Sequence, residues 1–171
     1  AAAATAAAVV DKSAAVRYGG KRDYHIRVGV DVDRSQLLTL RPNDVIASAA
    51  AEFAARYGLG NAAKVHLFQH ILDQLEPRRA QIRRATLDGL WHVANHRSST
   101  QSQVAALLGG FEDLEDDPFA GPLVLAEAQV GAAVALRAAD RVREARDAAR
   151  NALSFVYDYA PAANQLGICQ Y

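Results

Sequence analysis

The feature that most constrains this chain is a single run at period two. Tyr24, Ile26, Val28, Val30 and Val32 alternate with His25, Arg27, Gly29, Asp31 and Asp33. Alternation of that kind places the apolar side chains on one face of a strand. Asp33-Arg34-Ser35 supplies a turn and Gln36–Leu40 a short apolar second strand, so the pattern predicts a β-hairpin over Tyr24–Leu40. Two strands are not stable alone in water. The apolar face must therefore cover helices or join a further sheet.

Beyond the hairpin the chain reads as helix. Pro42 ends the strand, and Asn43 is placed to cap a helix from Asp44 to about Tyr57, stopped by Gly58 and Gly60. A second helix is expected from Asn61 to about Glu76, and a third from Pro77, a residue suited to a first helical position, to about Asn95. Thr100-Gln101-Ser102-Gln103 is a capping box ahead of a stripe of Val104, Leu107, Leu108 and Phe111, with Gly109-Gly110 expected to close that short helix. From Leu123 to about Tyr157 nothing is strong enough to stop a helix, which at 1.5 Å per residue would reach roughly 50 Å. Its first half is apolar nearly all round and its second half alternates charge, as a surface for another subunit would. Pro161–Tyr171 reads as an irregular tail, with Cys169 an exposed, inert thiol. The expected fold is mainly α, an antiparallel helix bundle with an N-terminal β-hairpin. It divides into an Ala-rich arm at 1–23, one helical domain at 24–160 opening with the hairpin at 24–40, and a tail at 161–171.

Composition narrows the function classes. Nineteen Lys+Arg balance nineteen Asp+Glu among 171 residues, which argues against binding nucleic acid through bulk positive charge. The 51% hydrophobic content includes 37 alanines, and aromatics are only 7%, so helices are favoured while large core anchors are few. One cysteine excludes an intrachain disulfide and a cysteine zinc site. No apolar run approaches a membrane span. The alanine-rich start lacks a basic region before an apolar one, so no secretory signal is read there; it fits initiator-Met removal and a trimmed targeting peptide equally, which leaves the location, intracellular or virion, unassigned. Phosphate-loop, dinucleotide, nucleophile-elbow and HExxH patterns are missing, and no enzyme or cofactor is expected.

Three clusters are candidates for chemistry. His66 and His70, and likewise His92 and His96, lie four apart, a spacing that can share a metal, with Asp73 and Asp88 as added oxygen donors. Their phase opposes the apolar stripes of both helices, so the two pairs point away from one another and no metal is expected. Arg78, Arg79, Arg83 and Arg84 form a basic cluster suited to bidentate phosphate contacts, with a solvated or acid-paired face as the plainer reading. Glu112–Asp117 carries five acids in six residues without calcium-loop spacing and reads as an exposed loop. At a subunit boundary its repulsion would relax on protonation.

Two stretches carry a family likeness. AALLGGFED at Ala105–Asp113 and DRVREARDAARNAL at Asp140–Leu153 resemble helices of the coat proteins of rod-shaped plant viruses of the tobamovirus type. AQIRRATLDGLW at Ala80–Trp91 is similar to an earlier Arg-bearing helix of that family. The resemblance implies a self-assembling helical subunit that packages RNA, and an acid after the Phe pairing with an Arg late in the long helix, here Glu112 or Asp113 with Arg150. The chain departs from the family where basic residues should follow that Phe, having Leu114, Glu115 and Asp116, and in its short Trp91–Phe111 segment.

The leading expectation is thus a non-enzymatic self-assembling structural subunit whose partners are copies of itself and single-stranded RNA, through Arg78, Arg79, Arg83 and Arg84. The alternative is an accessory subunit of a larger, for example organellar, complex, because hairpin then helix is the opening order of a ubiquitin-like ββα unit.

Overall fold

The computed structural model describes residues 12–95 and 101–170. It is mainly α, with the N-terminal hairpin in place. A 3-10 turn at Lys12–Ala15 leads into residues that run antiparallel to 43–46. The Tyr18 amide donates to Asp44 O at 2.9 Å and the Ile46 amide to Val16 O at 3.1 Å. Ser13 is fully buried. The expected arm at 1–23 is therefore folded onto the domain from Lys12 onward, and its residues 1–11 lie outside those described.

Strand β1 is Tyr24–Asp31 and β2 is Arg34–Leu40, antiparallel, with Ile26 opposite Leu38 and Tyr24 opposite Leu40. The turn falls at Val32-Asp33, one residue earlier than the sequence indicates. The register shifts between Gly29 and Asp31, a bulge that takes up the extra residue. Val32 is consequently carried out of the apolar face and is 96% exposed. Arg41-Pro42-Asn43-Asp44 then forms a tight turn, with the Asp44 amide donating to Arg41 O and Asn43 at φ 70°. Pro second and a positive-φ Asn third is the residue order of a type II turn. Asn43 is thus a turn residue, and the expected cap is corrected: α1 runs Ile46–Arg56 with Val45 at its N-cap and no side-chain cap bond. Gly58, at φ 66°, ends the helix as expected, its left-handed backbone letting Leu59 N–H reach Ala54 O at 2.8 Å.

Helix α2 is Asn61–Leu75 and α3 is Pro77–Ala94. The hairpin's inner face packs on α1 and α2 through Ile26, Leu38, Leu40, Ile46, Phe53, Phe68 and Ile71. Helix α4 runs Gln101–Glu115. It passes straight through Gly109-Gly110, where a stop was expected, because the buried stripe Val104, Leu107, Phe111 and Leu114 continues across them. A Cβ at Gly110 would come within 3.3 Å of Leu90 Cδ2, so α3 lies close there. Most of the acidic run is thus the end of a helix, not a loop. Thr100 of the expected capping box lies outside the described residues.

The expected 50 Å helix is two helices, α5 at Pro122–Ala138 and α6 at Val142–Phe155, folded back on one another. The break is a left-handed cap at Asp140, φ 60°. Arg141 N–H bonds Leu136 O at 2.8 Å and Asp140 N–H bonds Arg137 O at 3.0 Å, the two bonds of a Schellman motif. Helix α5 packs against α2, α3, α4, α6 and α7 and is buried on nearly every side. The expected tail is also corrected. Ala160–Ile168 is helix α7, with Pro161 in its first turn, and Cys169 is buried at 8% exposure beside Ala145, Ala148 and Ala149. Among the described residues, no helix is long and apolar enough to cross a membrane.

Candidate interaction sites

The best-organised polar cluster is built around Arg83. Its side chain is 5% exposed, and it donates from Nη2 to Asp73 Oδ1 at 2.6 Å and from Nη1 to Asp117 Oδ2 at 2.8 Å. Gln69, one turn before Asp73 on α2, donates to Asp73 Oδ1 at 2.8 Å and to Phe119 O at 3.1 Å. Its Oε1 accepts the Gly121 amide at 2.8 Å. Asp117 Oδ1 accepts the Phe119 amide at 3.0 Å, and Arg79 lies 3.6 Å from the same oxygen with its guanidinium 5.2 Å from the Phe119 ring centre. A Cβ at Gly121 would sit 2.7 Å from Gln69 Oε1, so a side chain there would push the Gln69 amide away from its bond with the Gly121 N–H. The cluster pins the α4–α5 connection to α2 and α3.

This geometry redraws the basic cluster. Arg83 is consumed inside the fold by two carboxylates and is not available to a phosphate. Arg79 is engaged with Asp117 and Phe119, and Arg84 lies 3.7 Å from Glu127. Arg78 is exposed. The acid-paired reading describes three of the four positions.

Glu127 forms a second cluster. It projects from α5 at 23% exposure, and burial pushes its carboxyl above the usual glutamate range. Asp88 and Asp73 add to that rise, while Arg84 and His66 oppose it. Tyr159, at the start of α7, is pushed up to about 12, mainly by burial and then by Glu127. Both shifts favour the protonated form, so burial holds the Glu127 carboxyl and the Tyr159 hydroxyl toward neutrality.

One groove, about 380 Å³, follows β2. It is lined by Leu37, Leu38 and Thr39, by Arg41 and Asp44, and by Glu52, Phe53 and Arg56 of α1. No β1 residue contributes, so it opens on the strand edge that β1 does not cover. Another, about 270 Å³, lies between α1, α2 and Tyr157.

The remaining candidates are dispersed. His66, His70 and His92 are exposed, His96 lies outside the described residues, and among the described residues no group of three or more His, Cys, Asp or Glu is placed to hold a metal. Glu112 and Asp113 are exposed on α4. Arg150 has Asp147 as its neighbour at 3.8 Å, and among the described residues no ion pair joins it to Glu112 or Asp113. Within the acidic run, Lys12 pairs with Asp116, and Glu115 is pushed up by burial and by Glu112 and Asp116. Sequence reasoning missed the partners of Arg83, which lie 10 and 34 positions away. Gly121-Pro122 was the nearest signal, a glycine immediately before a helix with no turn of its own to explain it. Compared with family models, with curated proteins and with solved structures, the chain matches none.

Proposed function

We propose that this chain is a non-enzymatic structural subunit that acts by assembling with copies of itself. The observation that carries this reading is the contrast between its interior and its edge. The strongest ionic groups are spent on pinning the α4–α5 connection, while β2 leaves one backbone edge and its flanking groove uncovered. An uncovered strand edge is a template for another strand, and chains that remain alone normally block it. Sedimentation and negative-stain microscopy across pH provide the test. Mass that rises with concentration is expected; discrete monomers under all conditions would sink the reading.

The coat-protein version narrows on these geometries. RNA contact would rest on Arg78, with Arg79 and Arg84 leaving their acid partners to join it, and Arg83 taking no part. Substituting Arg78 by Glu should then weaken retention of single-stranded RNA on a filter, and unchanged retention would remove RNA from the proposal. The second reading, an accessory subunit of a hetero-complex, draws on the same uncovered edge and the hairpin-then-helix order. Only two strands occur among the described residues, so the unit lacks the further strands of a ubiquitin-like sheet. A chain monomeric alone that co-sediments with a larger assembly would decide for it.

A further inference from the structure

We propose that β2 pairs edge to edge with β2 of a second copy, antiparallel and centred on Leu37, making one four-stranded sheet from two hairpins. The inference rests on the self-assembly reading and names its contact. Among the described residues, no backbone hydrogen bond outside the hairpin ladder engages Arg34–Leu40, so every second residue of β2 turns its N–H and C=O toward the groove. Another extended backbone pairs with such a row residue for residue.

Charge fixes the occupant and the register. In an antiparallel pair centred on Leu37, positions equally far on either side oppose one another. Ser35 then meets Thr39 of the second copy and Leu37 meets its counterpart, while Asp33, in the hairpin turn, and Arg41, in the turn after β2, flank the paired strands and bring opposite charges together at both ends. Asp33 and Arg41 are exposed, and neither side chain has an ion-pair partner among the described residues. Leu37 is 56% exposed on the outer face of the sheet, where its counterpart would cover it. Moving the centre to lie between Leu37 and Leu38 sets Arg34 against Arg41, like against like. The groove behaves consistently. Glu52 and Arg56 line it one turn apart on α1. A twofold axis runs the two α1 helices antiparallel, which brings Glu52 toward Arg56 of the second copy and Arg56 toward its Glu52. Such self-complementarity is the signature of an isologous contact.

Sedimentation velocity of the full chain from micromolar to millimolar concentration tests this, with thermal melts to confirm that each variant is folded. The wild type should dimerise. Asp33→Arg and Arg41→Asp each put like charges at both ends and should weaken the dimer about tenfold, two flanking charge pairs changing sign at once. Leu37→Glu should weaken it at least as much. The double variant Asp33→Arg/Arg41→Asp restores opposite charges and should return to within about threefold of wild type. A double variant no tighter than the single ones overturns the register. A wild-type oligomer indifferent to all of these changes overturns this contact and leaves the self-assembly reading standing. A wild type monomeric throughout overturns both.

Discussion

At the scale of single residues, the interior depends on a few polar atoms that cannot be lost singly. Gln69 satisfies Phe119 O and the Gly121 amide together, so Gln69→Leu leaves a buried donor and acceptor unpaired. We expect it to lower the unfolding free energy by about 1–3 kcal/mol in urea titration. Arg83→Ala removes a buried guanidinium that joins Asp117, 18% exposed, to Asp73, 38% exposed; water reaches both carboxylates once the arginine is gone, and a loss of about 1–3 kcal/mol is expected. If Arg83 were a phosphate ligand on the surface, that substitution would leave stability nearly unchanged, so one melt separates the two roles. Glu127 behaves oppositely. Its carboxyl is pushed up by burial, so the folded chain holds that proton more tightly than the unfolded one. Its ionisation therefore costs stability as pH rises through a window opening near the ordinary value of 4.5, and the penalty is complete above the raised value. Glu127→Gln should raise the melting temperature at neutral pH, with the gain disappearing at about pH 4. An equal gain at both pH values would assign the effect to packing instead of charge.

At the scale of elements, the connections between helices were the hardest to read. The hairpin was legible because Tyr24, Ile26 and Val28 alternate against a face that α1 and α2 cover, and Gly58 was legible because glycine is the usual left-handed cap. The α5–α6 corner was not, because the residue at that position is Asp140, and aspartate followed by arginine reads as one more charged pair on a continuous helix. Glycine at Gly109 and Gly110 misled in the reverse direction: where α3 crowds Gly110, a small residue permits packing and does not end the helix. The Arg83 cluster was invisible for a third reason, since Gln69, Asp73, Arg83 and Asp117 are unremarkable alone and acquire a role only when three elements converge. The corner yields a direct test. A left-handed backbone costs an L-residue roughly 1–2 kcal/mol relative to its ordinary conformation, and glycine escapes that cost. Asp140→Gly should stabilise the chain by up to about 1 kcal/mol, while Asp140→Val should destabilise it by about 1–2 kcal/mol, both read from chemical unfolding. If α5 and α6 were one helix, the order would reverse, because valine is tolerated in a helix interior better than glycine.

At the scale of the whole molecule, two kinds of packing meet along α2. The hairpin, α1 and one face of α2 share a core rich in large side chains, including Phe53, Phe68, Ile71 and Leu72. Around α5 the contacts with α6 and α7 are made largely by alanines, among them Ala132, Ala133, Ala135, Ala145, Ala148, Ala149 and Ala162. Alanine permits close helix approach but buries little apolar area per residue, so docking of the last helix rests on many small terms. Among the described residues, helix α5 is enclosed by five others, whereas the outer face of the hairpin meets solvent and α7 packs mainly against α5 and α6. Native-state hydrogen exchange should accordingly find the slowest amides in α5 and faster exchange in β1, β2 and α7. Cys169 gives an independent reading of the same hierarchy, because its thiol is buried at the end of α7 against α6. A thiol-specific reagent should label it far more slowly in the native chain than in the denatured one. Labelling should still outpace exchange of the α5 amides, since undocking of α7 alone exposes the sulfur. Native labelling as fast as denatured labelling would mean that Cys169 is not held in the core. Labelling only at the rate of global unfolding would mean instead that α7 and α5 open as one unit.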